Sequence, residues 1–135
     1  WHKSGWPPRP AMGRLALVQA CLGACVGVLF ALQGSRVFWS LEVDEAGFGD
    51  ICLWLGECLV NLLGGFLGCR TAFQAADRSS LTGVDDIASF RWRQLRAFLV
   101  HMLMCIYAWS IAWTGGVLAL ACALAVVAWL MSLID

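Results

Sequence analysis

From Ala97 to Ile134 the chain contains no Asp, Glu, Lys or Arg. Drawn out as one helix this stretch would be roughly 55 Å long, against about 30 Å for the hydrocarbon core of a bilayer, so it must fold back or project. Thr114, Gly115 and Gly116 lie near its middle, and paired glycines accept the positive φ that a tight turn requires. The stretch therefore divides into spans at 97–113 and 117–133, each near the lower limit of about 17 residues.

Two further apolar runs, at 15–33 and 51–69, are long enough to cross. Apolar residues make up 61% of the 135 and charged residues 13%, whereas soluble domains hold roughly 45–50% and about 25%. A chain of this size buries only about two-thirds of its unfolded surface, so a bilayer must cover the remainder. The expectation is an all-α integral membrane protein, a single membrane domain over residues 1–135 with four transmembrane helices, the last two forming a tight hairpin. Three spans followed by an interfacial tail is the alternative. The chain begins at Trp1 rather than Met, as a mature or trimmed form does, so compartment is not read from an address signal.

Positive charge indicates the orientation, because Lys and Arg are retained on the non-translocated side of short loops. Lys3, Arg9 and Arg14 precede the first span, and Arg70, Arg78, Arg91, Arg93 and Arg96 lie between the second and third. The intervening loop holds only Arg36 against Glu42, Asp44 and Glu45. The N-terminus is thus expected inside. Trp54, Trp109, Trp113, Trp92 and Trp129 fall near span ends, where headgroups meet hydrocarbon. In the segment 71–96, Ser79, Thr82 and Asp85 are candidate caps, followed by Ile87, Phe90 and Leu95 among arginines. That pattern predicts a short amphipathic helix on the membrane surface, with Arg91, Arg93 and Arg96 turned to anionic lipid headgroups or an acidic partner.

Gly23 and Gly27, and Gly64 and Gly68, form two GxxxG pairs, which bare the backbone on one helix face so that another helix approaches closely. With Ala119, Ala123 and Ala125 on the last span, these seams serve either packing within the chain or packing against partner subunits. Glu57 is the one carboxylate inside a span, with Asn61 one turn on. An intramembrane carboxylate is costly and a functional candidate: a neutral hydrogen-bonding group, a proton carrier, or a ligand to a cation or to chlorophyll magnesium. His101 is the one intramembrane histidine, which excludes a bis-histidine haem from this chain and leaves a single axial bond. Gln19 is nearer the depth of His101, and Tyr107 and Ser110 nearer that of Glu57. The seven cysteines include no CxxC pair and no zinc spacing, and read as small apolar fillers. No GxSxG, HExxH, P-loop or dinucleotide fingerprint occurs, so the chain is expected not to be an enzyme.

Residues 13–17, Gly-Arg-Leu-Ala-Leu, and 60–70, ending Phe-Leu-Gly-Cys-Arg, resemble pieces of chlorophyll-binding antenna helices. That pattern also requires a Glu five residues before each Arg; Arg9 and Gly65 stand there, and the resemblance assigns no family. The preferred expectation is a non-catalytic subunit that packs in and stabilises a larger organellar energy-transducing complex. A photosystem of the thylakoid is favoured, with Glu57, Asn61, His101 and Gln19 touching chlorophyll or another pigment. The alternatives are an accessory subunit of a respiratory complex or ATP synthase in the mitochondrial inner membrane, and a small proton or ion transporter using Glu57. Expected partners are membrane subunits and lipid, not nucleic acid or a soluble substrate, since Lys and Arg balance Asp and Glu at net charge +0.

In a cysteine-free background, single cysteines at Ser4 and Ser79 should be labelled from one side of the membrane and a cysteine at Ser40 from the other. Opposite-side labelling of Ser4 and Ser79 would overturn the charge argument.

Overall fold

A computed structural model describes residues 13–42, 44–111 and 116–134, and all its regular structure is helical. Helix α1 spans Arg14–Ser40, α2 Phe48–Ala76, α3 Val84–Ile111 and α4 Gly116–Ser132, with a 3₁₀ turn at Asp77–Ser80. The first starts where Gly13 offers its carbonyl to Leu17 N–H (2.9 Å). At the start of α2 the Asp50 carboxylate reaches back to Gly47 N–H (3.2 Å), satisfying a donor that the helix leaves open. Asp85 and Asp86 occupy the first turn of α3, where negative charge suits the helix dipole.

With 27 and 29 residues, α1 and α2 are long and apolar enough to cross a membrane. The apolar α4 has 17 residues, about 25 Å at ~1.5 Å per residue. The expected break between a surface helix in 71–96 and a span starting at Ala97 is absent. Helix α2 continues past Cys69 to Ala76, and α3 runs unbroken from Val84 because no Gly or Pro lies between Val84 and Ile111. The amphipathic pattern is real but turned inward: Phe90, Gln94, Ala97, His101, Cys105 and Ala108 form one buried stripe of α3. Of the expected hairpin turn, Thr114 and Gly115 lie outside the described residues.

Consecutive helices are antiparallel, and each packs on its two neighbours in the order α1, α2, α3, α4 and back to α1. This arrangement collects Arg14, Arg70, Arg78, Arg91, Arg93 and Arg96 at one end and Glu42, Asp44, Glu45 and Asp50 at the other. Val26, Phe30, Cys105, Ala108, Leu118, Ala121 and Ala125 make the apolar core. Large apolar side chains also face outward and polar ones inward: Leu62 and Phe66 are 69% and 67% exposed, whereas Gln19 and Asn61 are 1% and 0% exposed. Cys21, Cys25, Cys52 and Cys69 are also exposed, so these four are not interior fillers; Cys105 is buried.

The α1–α2 seam consumes both GxxxG pairs within the chain. A Cβ on Gly68 would lie 2.5 Å from Gly27 N, one on Gly27 2.9 Å from Gly65 O, and one on Gly23 3.0 Å from Ala72 N. Gly64 leaves room for the Phe30 ring, which a Cβ would meet at 2.5 Å. Gly68→Ala should therefore destabilise the bundle by about 1–3 kcal/mol, as overpacking does. Gly49→Ala, with nothing within 4 Å of its Cβ position, should leave the thermal midpoint in detergent unchanged or raised. Equal midpoints for Gly68→Ala and wild type would show that the seam is looser than described.

Candidate functional site

Four helices contribute polar side chains to the interior: Gln19 and Gln33 from α1, Glu57, Asn61 and Thr71 from α2, Gln94 and His101 from α3, and Ser132 from α4. On α2 the spacing Glu57, Asn61, Gly64, Gly68, Thr71 keeps to one helix face. Polar groups thus occur at several levels along the bundle.

At the arginine-rich end, Arg78 Nη1 donates to Gln19 Oε1 (2.8 Å) and to Met131 O (2.7 Å), and its guanidinium carbon lies 5.6 Å from the Phe90 ring centroid. Gln19 Nε2 in turn donates to Gln94 Oε1 and to Ala128 O, both at 3.3 Å. Arg91 Nη2 donates to Leu133 O (3.3 Å). Two guanidinium groups therefore bond to carbonyls at the C-terminus of α4, where the helix leaves acceptors open and its dipole favours positive charge.

In the middle, His101 Nε2 lies 3.1 Å from Gly64 O and its ring stacks on Phe30, centroids 5.2 Å apart. A carbonyl only accepts, so Nε2 carries a proton in this contact. Beside the ring, Gln94, Thr71 and His101 line a cavity of about 20 Å³, enough for one water. A tetrapyrrole does not fit there, so His101 is not placed to ligate one inside this bundle. The expected Gln19/His101 set is also not formed as a pair: Gln19 belongs to the Arg78 network, and Gln94 adjoins both.

Toward the acidic end, Asn61 Nδ2 donates to the backbone carbonyl of Glu57 (2.8 Å), which joins this expected pair through one turn of α2. Glu57 is 6% exposed. Its Oε1, together with Asn61 Oδ1, Gln33 Oε1 and Gln94 Nε2, is buried with no hydrogen-bond partner. Glu57 also lines an open vestibule of about 400 Å³ whose other walls include Glu42, Glu45, Asp50 and Trp54. The Trp54 indole is held by Val37 O (2.8 Å), the same carbonyl that accepts from Ser40 Oγ (2.7 Å). Tyr107 lies at this level, as depth predicts, with its hydroxyl 2.7 Å from where a Gly56 Cβ would stand. Ser110 Oγ donates to Tyr107 O (2.7 Å).

The three arginines expected to act together divide. Arg91 is engaged with α4, Arg93 donates to Ser89 Oγ (2.8 Å), and Arg96 shares a pocket with Arg93 and Arg70. Two participants were missed. Arg78 reads in the sequence only as loop charge, and Gln94 could have been found because it sits seven residues before His101 on the same helix face. Among the described residues no group of three or more His, Cys, Asp or Glu is arranged to hold a metal ion. No family model, no curated protein and no solved structure matches the chain.

Replacing Gln19 with Leu removes partners from both Arg78 and Gln94, and should cost about 1–3 kcal/mol. Combined with Arg78→Leu, the loss should be non-additive by about 0.5–3 kcal/mol in thermal denaturation of the four proteins of the cycle. Strict additivity would mean that the two side chains do not share a network.

Proposed function

We propose that the chain is an integral membrane protein whose four helices form one membrane-embedded bundle, and that it takes up a proton or small monovalent cation at Glu57. The observation that carries this reading is a buried carboxylate with an unpartnered oxygen on the wall of a vestibule that also holds Glu42, Glu45 and Asp50. Large apolar side chains point away from the bundle on α1, α2 and α3, and lipid is the solvent in which such a surface is stable.

Physical chemistry connects the vestibule to the buried group. A bare carboxylate at this depth is costly, so it is neutralised by a proton or a cation. Converging carboxylates at an open mouth raise the local concentration of cations. Between Glu57 and the arginine-rich end the interior holds further polar groups at Asn61, His101, Thr71, Gln94 and Gln19, of which Gln94 and Gln19 are hydrogen-bonded in series to Arg78.

A second reading is favoured by one observation. On the outside of the α1–α2 pair a groove of about 650 Å³ is walled by Gly27, Ala31, Gly34, Gly65 and Phe66, a shape suited to the side chains of another membrane helix. In this reading the chain is a non-catalytic subunit of a larger organellar complex, in a thylakoid or mitochondrial inner membrane. Its GxxxG pairs no longer argue for it, because they face each other inside the chain.

Liposomes containing the purified chain and a pH-sensitive dye test the first reading. Wild type should dissipate an imposed proton or sodium gradient, and Glu57→Gln, which keeps the shape but cannot titrate, should not, with helicity and midpoint preserved. Equal flux through wild type and Glu57→Gln would overturn the assignment.

A further inference from the structure

We propose that the pocket between α2 and α3 at the arginine-rich end is a binding site for a single anionic phospholipid. Arg70 from α2 and Arg93 and Arg96 from α3 line a cavity of about 260 Å³, with Gln74 beside them. No carboxylate is among the described residues that line it. The guanidinium of Arg93 spends one donor on Ser89, which leaves donors on three like-charged groups directed to one space. Like charges so placed repel one another, and a phosphate diester both relieves the repulsion and accepts bidentate, charge-assisted hydrogen bonds from each.

The remaining wall distinguishes a lipid from a free phosphate. Leu67 lies one turn from Arg70 on α2, and Val100 one turn from Arg96 on α3; because the two helices are antiparallel, both displacements point toward the middle of the bundle. The pocket is therefore polar at its outer end and apolar at its inner end. Headgroup and acyl chain of a phospholipid follow the same order, with the phosphate at the membrane surface and the chain running inward along Leu67 and Val100. Basic pockets between membrane helices take anionic headgroups on these terms. The set differs from the arginine cluster legible in the sequence: Arg70 and Gln74 join it, and Arg91 leaves it for the end of α4.

The test uses the full chain in detergent, titrated separately with phosphatidylglycerol, phosphatidylcholine and inorganic phosphate, and read by native mass spectrometry and by thermal midpoint. A lipid that binds only the folded bundle raises the midpoint by mass action. Phosphatidylglycerol should be retained at one molecule per chain and raise the midpoint; phosphatidylcholine and phosphate should do neither. The double variant Arg70→Gln/Arg96→Gln should lose affinity for phosphatidylglycerol by about tenfold or more, as loss of charged hydrogen bonds predicts, whereas Arg91→Gln should retain it. Val100→Trp fills the apolar end without altering charge and should also reduce retention, which protects the test if the arginine variant folds poorly. Equal retention in all variants would mean that the arginines act only as diffuse surface charge, and a matching response to phosphate alone would remove the acyl chain from the site; either result overturns the proposal.

Discussion

Contact between the bare backbones of Gly27 and Gly68 sets the spacing of α1 and α2, and the rest of the bundle is arranged on that pair. With no Cβ to hold them apart, the helices close along a seam that continues from Gly23 to Gly65. Gly64 then accepts the ring of Phe30, and Phe30 in turn supports the His101 imidazole from α3. The carbonyl of Gly64 is itself the hydrogen-bond partner of that imidazole. One stretch of small residues therefore organises helix spacing, core packing and the position of the buried histidine.

Polarity in this molecule departs from that of a water-soluble bundle in two respects: the outside carries many large apolar side chains, and the inside carries several polar ones. Many leucines and phenylalanines face outward, while glutamines, an asparagine, a glutamate and a histidine lie inside beside an apolar core that includes Phe30, Phe90 and Leu118. Interior amides supply fixed dipoles that can pair across helices, and each bond they make in a dry environment is stronger than in water. The same dryness makes the unpartnered polar atoms of Glu57, Gln33, Asn61 and Gln94 energetically expensive.

Depth was legible in the sequence for Tyr107 and Glu57 but not for Gln19 and His101. Counting residues along each apolar run placed Tyr107 near the level of Glu57, and spacing alone marked Gly23, Gly27, Gly64 and Gly68 as points of close approach. Counting also put Gln19 near the level of His101, whereas Gln19 meets Gln94, which precedes His101 by two turns, about 10 Å, on the same face of α3. The Arg78–Gln19 bond joins positions far apart in the chain and depends on how the helices are arranged, which no local pattern encodes. The polar first half of α3 misled for a related reason. Arginines around an apolar stripe look alike whether that stripe rests on lipid or on other helices; here Phe90, Gln94 and Ala97 rest on helices.

Helix α4 carries no charged residue of its own. Its C-terminal carbonyls are held by Arg78 and Arg91, which belong to the 3₁₀ turn and to α3. An uncharged hydrophobic helix has no charged side chain of its own with which to cap its terminal carbonyls or to answer its dipole. For α4 that hold is supplied by the preceding elements, and it exists only once the turn and α3 are in place. The end of α4 is thereby fixed from outside the helix: two cationic hooks, one on the turn and one on α3, hold an uncharged segment that has no side-chain charge with which to hold itself.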